Sequence, residues 1–223
     1  MSIELDPTEC RVLGSLVEKQ LSVPEAYPLT LNSLVLACNQ KSNRDPAMEI
    51  PEYHVQGALR ALRDRGWVHD MELAGARTIR YAHRAADQLG VDEKDLAILA
   101  ELWLRGPQSP QELRARASRM RPFTSPEEVE NRLRALSTRP VPYVRFLGKR
   151  PGERAPRWAH SFGIAAETAA IPGSEGPLRA TEVAEEPAPR QAPTHLGEAV
   201  AALAERVSAL ESEVARLRAR AGG

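Results

Sequence analysis

Through the first 163 positions, apolar residues recur at helical spacing in short runs, each broken by a capping signal or a turn. Asp6-Pro7-Thr8-Glu9 reads as a capping box with proline at the first helical position, so a helix is expected from there to about Gln20. A second helix follows Thr30, with Leu31, Leu34, Val35 and Cys38 as its inward stripe. A third spans about Glu52 to Arg65 and stops at Gly66, with Val55, Leu59 and Leu62 facing inward. Two short strands should follow at Trp67–Leu73 and Arg77–His83, joined by a tip at Ala74-Gly75-Ala76. In the second of these, Ile79 and Tyr81 alternate with Thr78 and Arg80, as a half-buried strand requires.

The same plan then repeats. Val55, Leu59, Arg60, Ala61 and Leu62 reappear as Val129, Leu133, Arg134, Ala135 and Leu136, and Tyr81-Ala82-His83 as Trp158-Ala159-His160. Leu96, Leu99, Ala100 and Trp103 stripe a first helix, and the boxes Ser109-Pro110-Gln111-Glu112 and Ser125-Pro126-Glu127-Glu128 open a second and a third. Strands are expected at Tyr143–Leu147 and Ala155–His160, around a tip at Lys149–Glu153. Three helices closed by a hairpin is the winged-helix arrangement. The expected fold is therefore mainly α with small β-hairpins (α+β), with two tandem winged-helix domains at 1–87 and 88–163.

Beyond that the pattern changes twice. Residues 164–194 are rich in Ala, Pro and Glu with few large apolar side chains, which predicts a disordered, flexible linker. From 195 to 221 a heptad seam appears: Leu196, Val200, Leu203, Val207, Leu210, Val214 and Leu217, spaced four and three in alternation. Valine at a with leucine at d favours a parallel pair, and Arg206 with Glu211 and Glu213 with Arg218 would be opposite charges across it. The expectation is a short C-terminal coiled-coil helix that makes a homodimer; the competing reading is an amphipathic helix folded onto its own chain.

Composition refines this picture. Thirty basic and thirty acidic residues cancel. Their distribution does not: residues 1–87 hold 10 basic against 12 acidic, 88–163 hold 14 against 9, and 164–223 hold 6 against 9. Only the middle segment prefers an anionic partner. Cys10 and Cys38 lie far apart on apolar stripes, which suits small buried hydrophobes better than metal or redox work. The first residues lack a signal-peptide pattern and no apolar run is long enough to span a bilayer, so a cytoplasmic protein with no membrane partner is expected.

Candidate contacts to double-stranded DNA fall in three places. The polar run Asn39 to Asp45 offers Lys41, Asn43 and Arg44 to phosphates. The competing reading is a turn whose side chains cap two helix ends. The outer face of the third helix would show His54, Gln56, Gly57, Arg60 and Arg63, where glutamine and arginine suit base edges. In the second domain Arg114, Arg116, Arg119 and Arg121, with Lys149, Arg150, Arg154 and Arg157 of the hairpin, could grip backbone without reading sequence; a solvated arginine face is the alternative. The N-terminal turn of its third helix carries Glu127, Glu128 and Glu130, which would repel phosphate. The histidines are scattered, and no nucleophile motif, phosphate loop or metal-ligand spacing occurs, so no catalytic residue, metal or cofactor is expected.

One stretch is distinctive as sequence: Ala37-Cys38-Asn39-Gln40-Lys41-Ser42-Asn43-Arg44-Asp45-Pro46. With Val17-Glu18-Lys19-Gln20, Tyr27-Pro28-Leu29-Thr30, Leu104-Arg105-Gly106-Pro107-Gln108 and Glu112-Leu113-Arg114, it resembles the YceH-like family of uncharacterised bacterial proteins over roughly residues 4–163. That resemblance implies paired winged helices and no known activity. The functional expectation is a non-enzymatic, DNA-associated protein, a transcriptional regulator acting as a dimer. The alternative is an adaptor whose winged helices bind an unknown protein partner.

Overall fold

The structure is a computed structural model that describes residues 3–72, 78–149, 152–153 and 155–163. The linker at 164–194, the heptad seam at 195–221, the first hairpin tip and the side chains of Arg150 and Arg154 lie outside the described residues.

The protein has a mixed α and β fold with two small antiparallel sheets. Helix α1 (Pro7–Ser22) starts at the Asp6 box, where Asp6 and Glu9 satisfy each other's backbone N–H groups. Strand β1 (Leu29–Thr30) leads into α2 (Leu31–Cys38), capped by Thr30, and α3 (Glu52–Asp64) follows after a long loop. Strands β2 (Val68–Met71) and β3 (Arg80–His83) form the hairpin, and a short α4 (Ala85–Leu89) leads into α5 (Glu93–Arg105). Then come α6 (Pro110–Ala117), α7 (Pro126–Ser137), β4 (Val144–Gly148) and β5 (Arg157–His160). No helix among the described residues is long and apolar enough to cross a membrane.

The repeat read in the sequence extends to hydrogen bonds. The N–H groups of Trp67 and Tyr143 donate to the carbonyls of Leu62 and Leu136, and those of Arg84 and Ser161 to Trp67 and Tyr143. Each last strand ends on a histidine whose Nδ1 accepts the N–H two residues on: Ala85 to His83 at 3.2 Å and Phe162 to His160 at 3.3 Å. A third pairing also repeats. Leu29 of β1 faces Tyr81 of β3, and Gln108 bridges Trp158 in the same place, each just before the cap of the following helix.

Several expectations change. Both hairpins are shorter than the alternation suggested, and a bulge interrupts β4 between Phe146 and Gly148. Ile79 precedes β3 and is exposed, because pairing starts only at Arg80. The Ser125 box closes on one side only: Ser125 Oγ accepts the Glu128 N–H, while the Glu128 carboxylate takes the N–H and hydroxyl of Thr124. Strand β1 and helix α4 were not foreseen.

The core does not divide at the boundary between the repeats. One cluster of buried side chains runs from Leu5 through α1, α5 and α7 to Phe162. Helix α5 is buried from Leu96 to Trp103 on every side and packs along α1. They approach closely at Gly14, where a Cβ would lie 3.0 Å from Leu104 Cγ and 3.3 Å from Trp103 Cβ.

Candidate functional site

The distinctive polar run Asn39–Asp45 folds back into the protein instead of standing off it. Asn39 makes a two-way pair with the backbone of Ile50, its amide donating to the carbonyl at 2.9 Å and its oxygen accepting the N–H at 2.8 Å. Asn43 adopts the left-handed backbone conformation that asparagine tolerates, and its side-chain oxygen accepts from Arg105 of α5 at 2.6 Å. The Asp45 N–H donates to the Leu104 carbonyl at 2.9 Å. Arg11 of α1 closes the loop, donating to the carbonyls of Cys38 and Pro46.

Arg44 is the centre of this arrangement. Its side chain is 0% exposed and grips Glu18 of α1 through both Nη atoms, at 3.1 and 2.5 Å. It also donates to the carbonyls of Ala37 and Asn43. Glu18 in turn meets Arg119 at 2.6 Å, and Arg119 meets Glu101 of α5 at 2.7 Å. Burial alone would raise the Glu18 pKa, but hydrogen bonding and attraction from Arg44 and Arg119 hold it below the ordinary carboxylate range. Glu101 Oε2 lies 3.4 Å from Arg105 Nε without the alignment of a hydrogen bond. The loop is thus the turn-and-cap alternative, extended into a charge network that fastens α1, α5 and the end of α6 together. Arg44 cannot serve as a phosphate contact while its guanidinium is fully enclosed in this ion pair, the most buried among the described residues.

Four of the eight cations in the second repeat's basic cluster, Arg116, Arg119, Arg121 and Arg157, are held in ion pairs. Arg116 pairs with Glu112 and donates to Gln108 at 2.7 Å, and Arg121 pairs with Glu93 at 2.6 Å and donates to the Leu21 carbonyl. Arg157 bridges Glu112 and Glu153. Arg114 and Lys149 form no ion pair among the described residues, and Lys149 is exposed. The α7 start is acidic as read: Glu128 is held down to about 2 by Lys94, then by Thr124.

On α3 the outward residues are His54, Gly57, Arg60 and Arg63, with Gln56 half-buried. Arg63 is tied to Asp70 at 2.8 Å and Gln56 to Glu52 at 3.2 Å; of the other candidate contacts here, His54, Arg60 and Lys41 of the loop are exposed. Large apolar side chains that the sequence reading passed over are exposed as well. Leu36 on α2 is 64% exposed, Tyr53 on α3 65% and Phe146 on β4 56%. Tyr53 lies against His54 with ring centres 4.3 Å apart and the rings tilted by 53°. A signal existed for the buried carboxylate: Glu18 occupies the apolar stripe that Gly14, Val17 and Leu21 define.

Chemistry-bearing groups elsewhere are quiet. Burial pushes the Cys38 thiol up to about 11, so its thiolate is scarce near neutrality. Among the described residues no three His, Cys, Asp or Glu side chains gather to hold a metal.

Residues 5–153 match the profile of a protein family of unknown function, DUF480. Over 167 residues the chain is 48% identical to a UPF0502 protein of Geobacter metallireducens, covering 75% of this chain and 76% of that protein. It is 41% identical to the UPF0502 protein of Chromobacterium violaceum over 97% of its own length and 88% of the relative's. It is 40% identical to UPF0502 protein Ent638_1581 of an Enterobacter species over 99% and 95%.

Proposed function

The chain belongs to the DUF480 family, the YceH-like group of uncharacterised bacterial proteins, and from that premise we propose a non-enzymatic adaptor: two tandem winged helices whose outer faces hold other proteins. The order of three helices and a hairpin, with a short third pairing before each second helix, supports the winged-helix reading.

The observation that carries the adaptor reading is how the cations are used. A surface that grips DNA needs arginines free to displace counterions. Here Arg44, Arg63, Arg116, Arg119, Arg121 and Arg157 are each held by a carboxylate of the same chain. Releasing Arg44 or Arg119 would strand the buried Glu18 carboxylate, and at the exposed pairs the neighbouring carboxylate cancels much of the field that would draw phosphate. Leu36, Tyr53 and Phe146 stand exposed instead, and exposed large apolar residues mark protein contacts more often than nucleic-acid ones. The seam at 196–217 adds self-association as a parallel pair in the cytoplasm, so that each assembly presents its faces twice.

The test is a titration of the full chain with a short random-sequence DNA duplex at rising salt, alongside crosslinking from a photoreactive residue at position 53. A flat salt dependence with nuclease-resistant protein crosslinks supports the adaptor. A log–log slope of about −0.9 per phosphate, amounting to several phosphates, overturns it. One observation favours the second reading, a DNA-associated regulator: Lys41, His54 and Arg60 are exposed and make no ion pair among the described residues, on the loop and helix that face DNA in a helix-turn-helix.

A further inference from the structure

The two repeats build the start of their second helix alike but charge it differently. Thr30 and Ser109 cap α2 and α6, and each hydroxyl accepts an N–H three residues on at 3.3 Å, from Ser33 and from Glu112. An arginine of the last strand reaches the carbonyl two residues before each cap. Arg80, opposite Thr30 in the β1–β3 register, donates from Nη1 to the Pro28 carbonyl at 2.8 Å. Arg157 repeats that bond on the Pro107 carbonyl at 2.7 Å.

What differs is the third residue of the helix. In α6 it is Glu112, whose carboxylate accepts the Ser109 N–H at 2.9 Å and the Ser109 hydroxyl at 3.1 Å, and pairs with Arg157 at 3.2 Å. Burial alone would raise the Glu112 pKa, but the Ser109 N–H and then Arg157 hold it below the ordinary carboxylate range. In α2 the third residue is Ser33, and the first turn contains no acidic residue. The exposed Ser33 hydroxyl shares a hydrogen bond with that of Thr30 at 2.9 Å. Arg80 has no ion pair among the described residues, and its Nε is buried without a hydrogen-bond partner. The hairpin tip that precedes β3, Leu73-Ala74-Gly75-Ala76-Arg77, carries no carboxylate that could supply one. A helix start, a hydroxyl cap and a guanidinium together favour an oxyanion, and the second repeat answers that preference with its own side chain.

We propose that the start of α2, with Thr30, Ser33 and Arg80, is a binding site for a carboxylate carried by a partner protein, held as the second repeat holds Glu112. The proposal rests on the adaptor reading and names the group that one of its faces recognises. The choice of a carboxylate follows from what fills the matching place: a glutamate side chain set against a helix start, a hydroxyl and a guanidinium. Ser33 has no charge to return to its own cap, so in α2 the anion comes from elsewhere.

The probe is glutamate blocked at both ends, titrated at constant ionic strength into the full chain labelled with nitrogen-15, with blocked glutamine as control. The backbone amides of Thr30 to Ser33 should shift and saturate with a Kd on the order of 10 mM, the scale of one charge-assisted contact. Arg80→Gln should weaken binding about tenfold. Ser33→Glu should abolish it, because it installs in cis the carboxylate that Glu112 supplies in α6. That variant should melt at or above the wild type, so a lost signal is not a lost fold, and any gain should vanish in the double variant with Arg80→Gln. No saturation, equal shifts with blocked glutamine, or binding unchanged in Ser33→Glu overturns the proposal. So does binding that emerges only when the nine glutamates of residues 164–223 are changed to glutamine, since one of them would then be the occupant. A short DNA duplex that moves the same amides at far lower concentration, and ceases to in Ser33→Glu, would assign the site to backbone phosphate and also overturn it. If blocked glutamate fails while nuclease-resistant crosslinks at position 53 persist, the adaptor reading stands and this site is excluded from it.

Discussion

Replacing Arg44 by alanine separates the two roles an arginine in a polar run can have. The structure places its guanidinium between the Glu18 carboxylate and the carbonyls of Ala37 and Asn43, with no exposed surface. Removing it leaves Glu18, itself 1% exposed, with Arg119 as its remaining ion-pair partner among the described residues. Breaking one partner of a buried pair costs about 3–5 kcal/mol. In urea that should lower the unfolding midpoint by about 2 M, and the melting temperature by roughly 10 °C. Circular dichroism on the full chain reads both. Glu18→Gln in the same background should recover part of the loss, because the stranded charge goes with it. A cost under about 1 kcal/mol, together with weakened DNA binding at unchanged stability, would refute the reasoning and return Arg44 to the surface.

Three more outcomes follow from geometry already described. Burial pushes His83 and His160 down to about 4, so each is neutral when folded and protonated below about 6.5 when unfolded. The unfolded chain therefore binds more protons between these limits, and stability should be full above pH 6.5 and fall as pH drops towards 4, by up to about 3 kcal/mol per histidine; a urea midpoint constant from pH 7 to 4.5 contradicts this. Gly14→Ala should destabilise by about 1–2 kcal/mol, because the new methyl meets Leu104 and Trp103 on a helix that cannot move aside; unchanged or higher stability would show that α5 yields. Gly57→Ala should stabilise by about 0.5–1 kcal/mol, since nothing lies within 4 Å of the added Cβ, and a lower urea midpoint would contradict that.

Local signals were the legible part. The boxes at Asp6 and Ser109 close as their residues suggest, and helices α3 and α5 bury the stripes that their periodicity marks. Strand β1 escaped because two residues carry no alternation, and its pairing with β3 spans fifty positions of sequence. Charge was the harder case. Composition shows that arginines exceed carboxylates between 88 and 163, yet cannot say that Glu93, Glu101 and Glu112 each stand opposite one of those arginines. Arg44 misled for the same reason. A cation among Asn, Gln, Lys and Ser resembles a surface residue until its partner, 26 positions earlier on an otherwise apolar stripe, is placed beside it.

The uninterrupted packing of α1 along α5 has a consequence for how the molecule comes apart. A protease cut between residues 87 and 88 would not release two self-sufficient pieces, because each would carry away half of a shared interior and the Glu18–Arg119 pair that crosses it would be lost. Residues 3–163 should accordingly melt in a single sharp step rather than one repeat at a time. Synthesis of the first ninety residues alone would yield a chain that waits, sticky and incomplete, for the helix that finishes it.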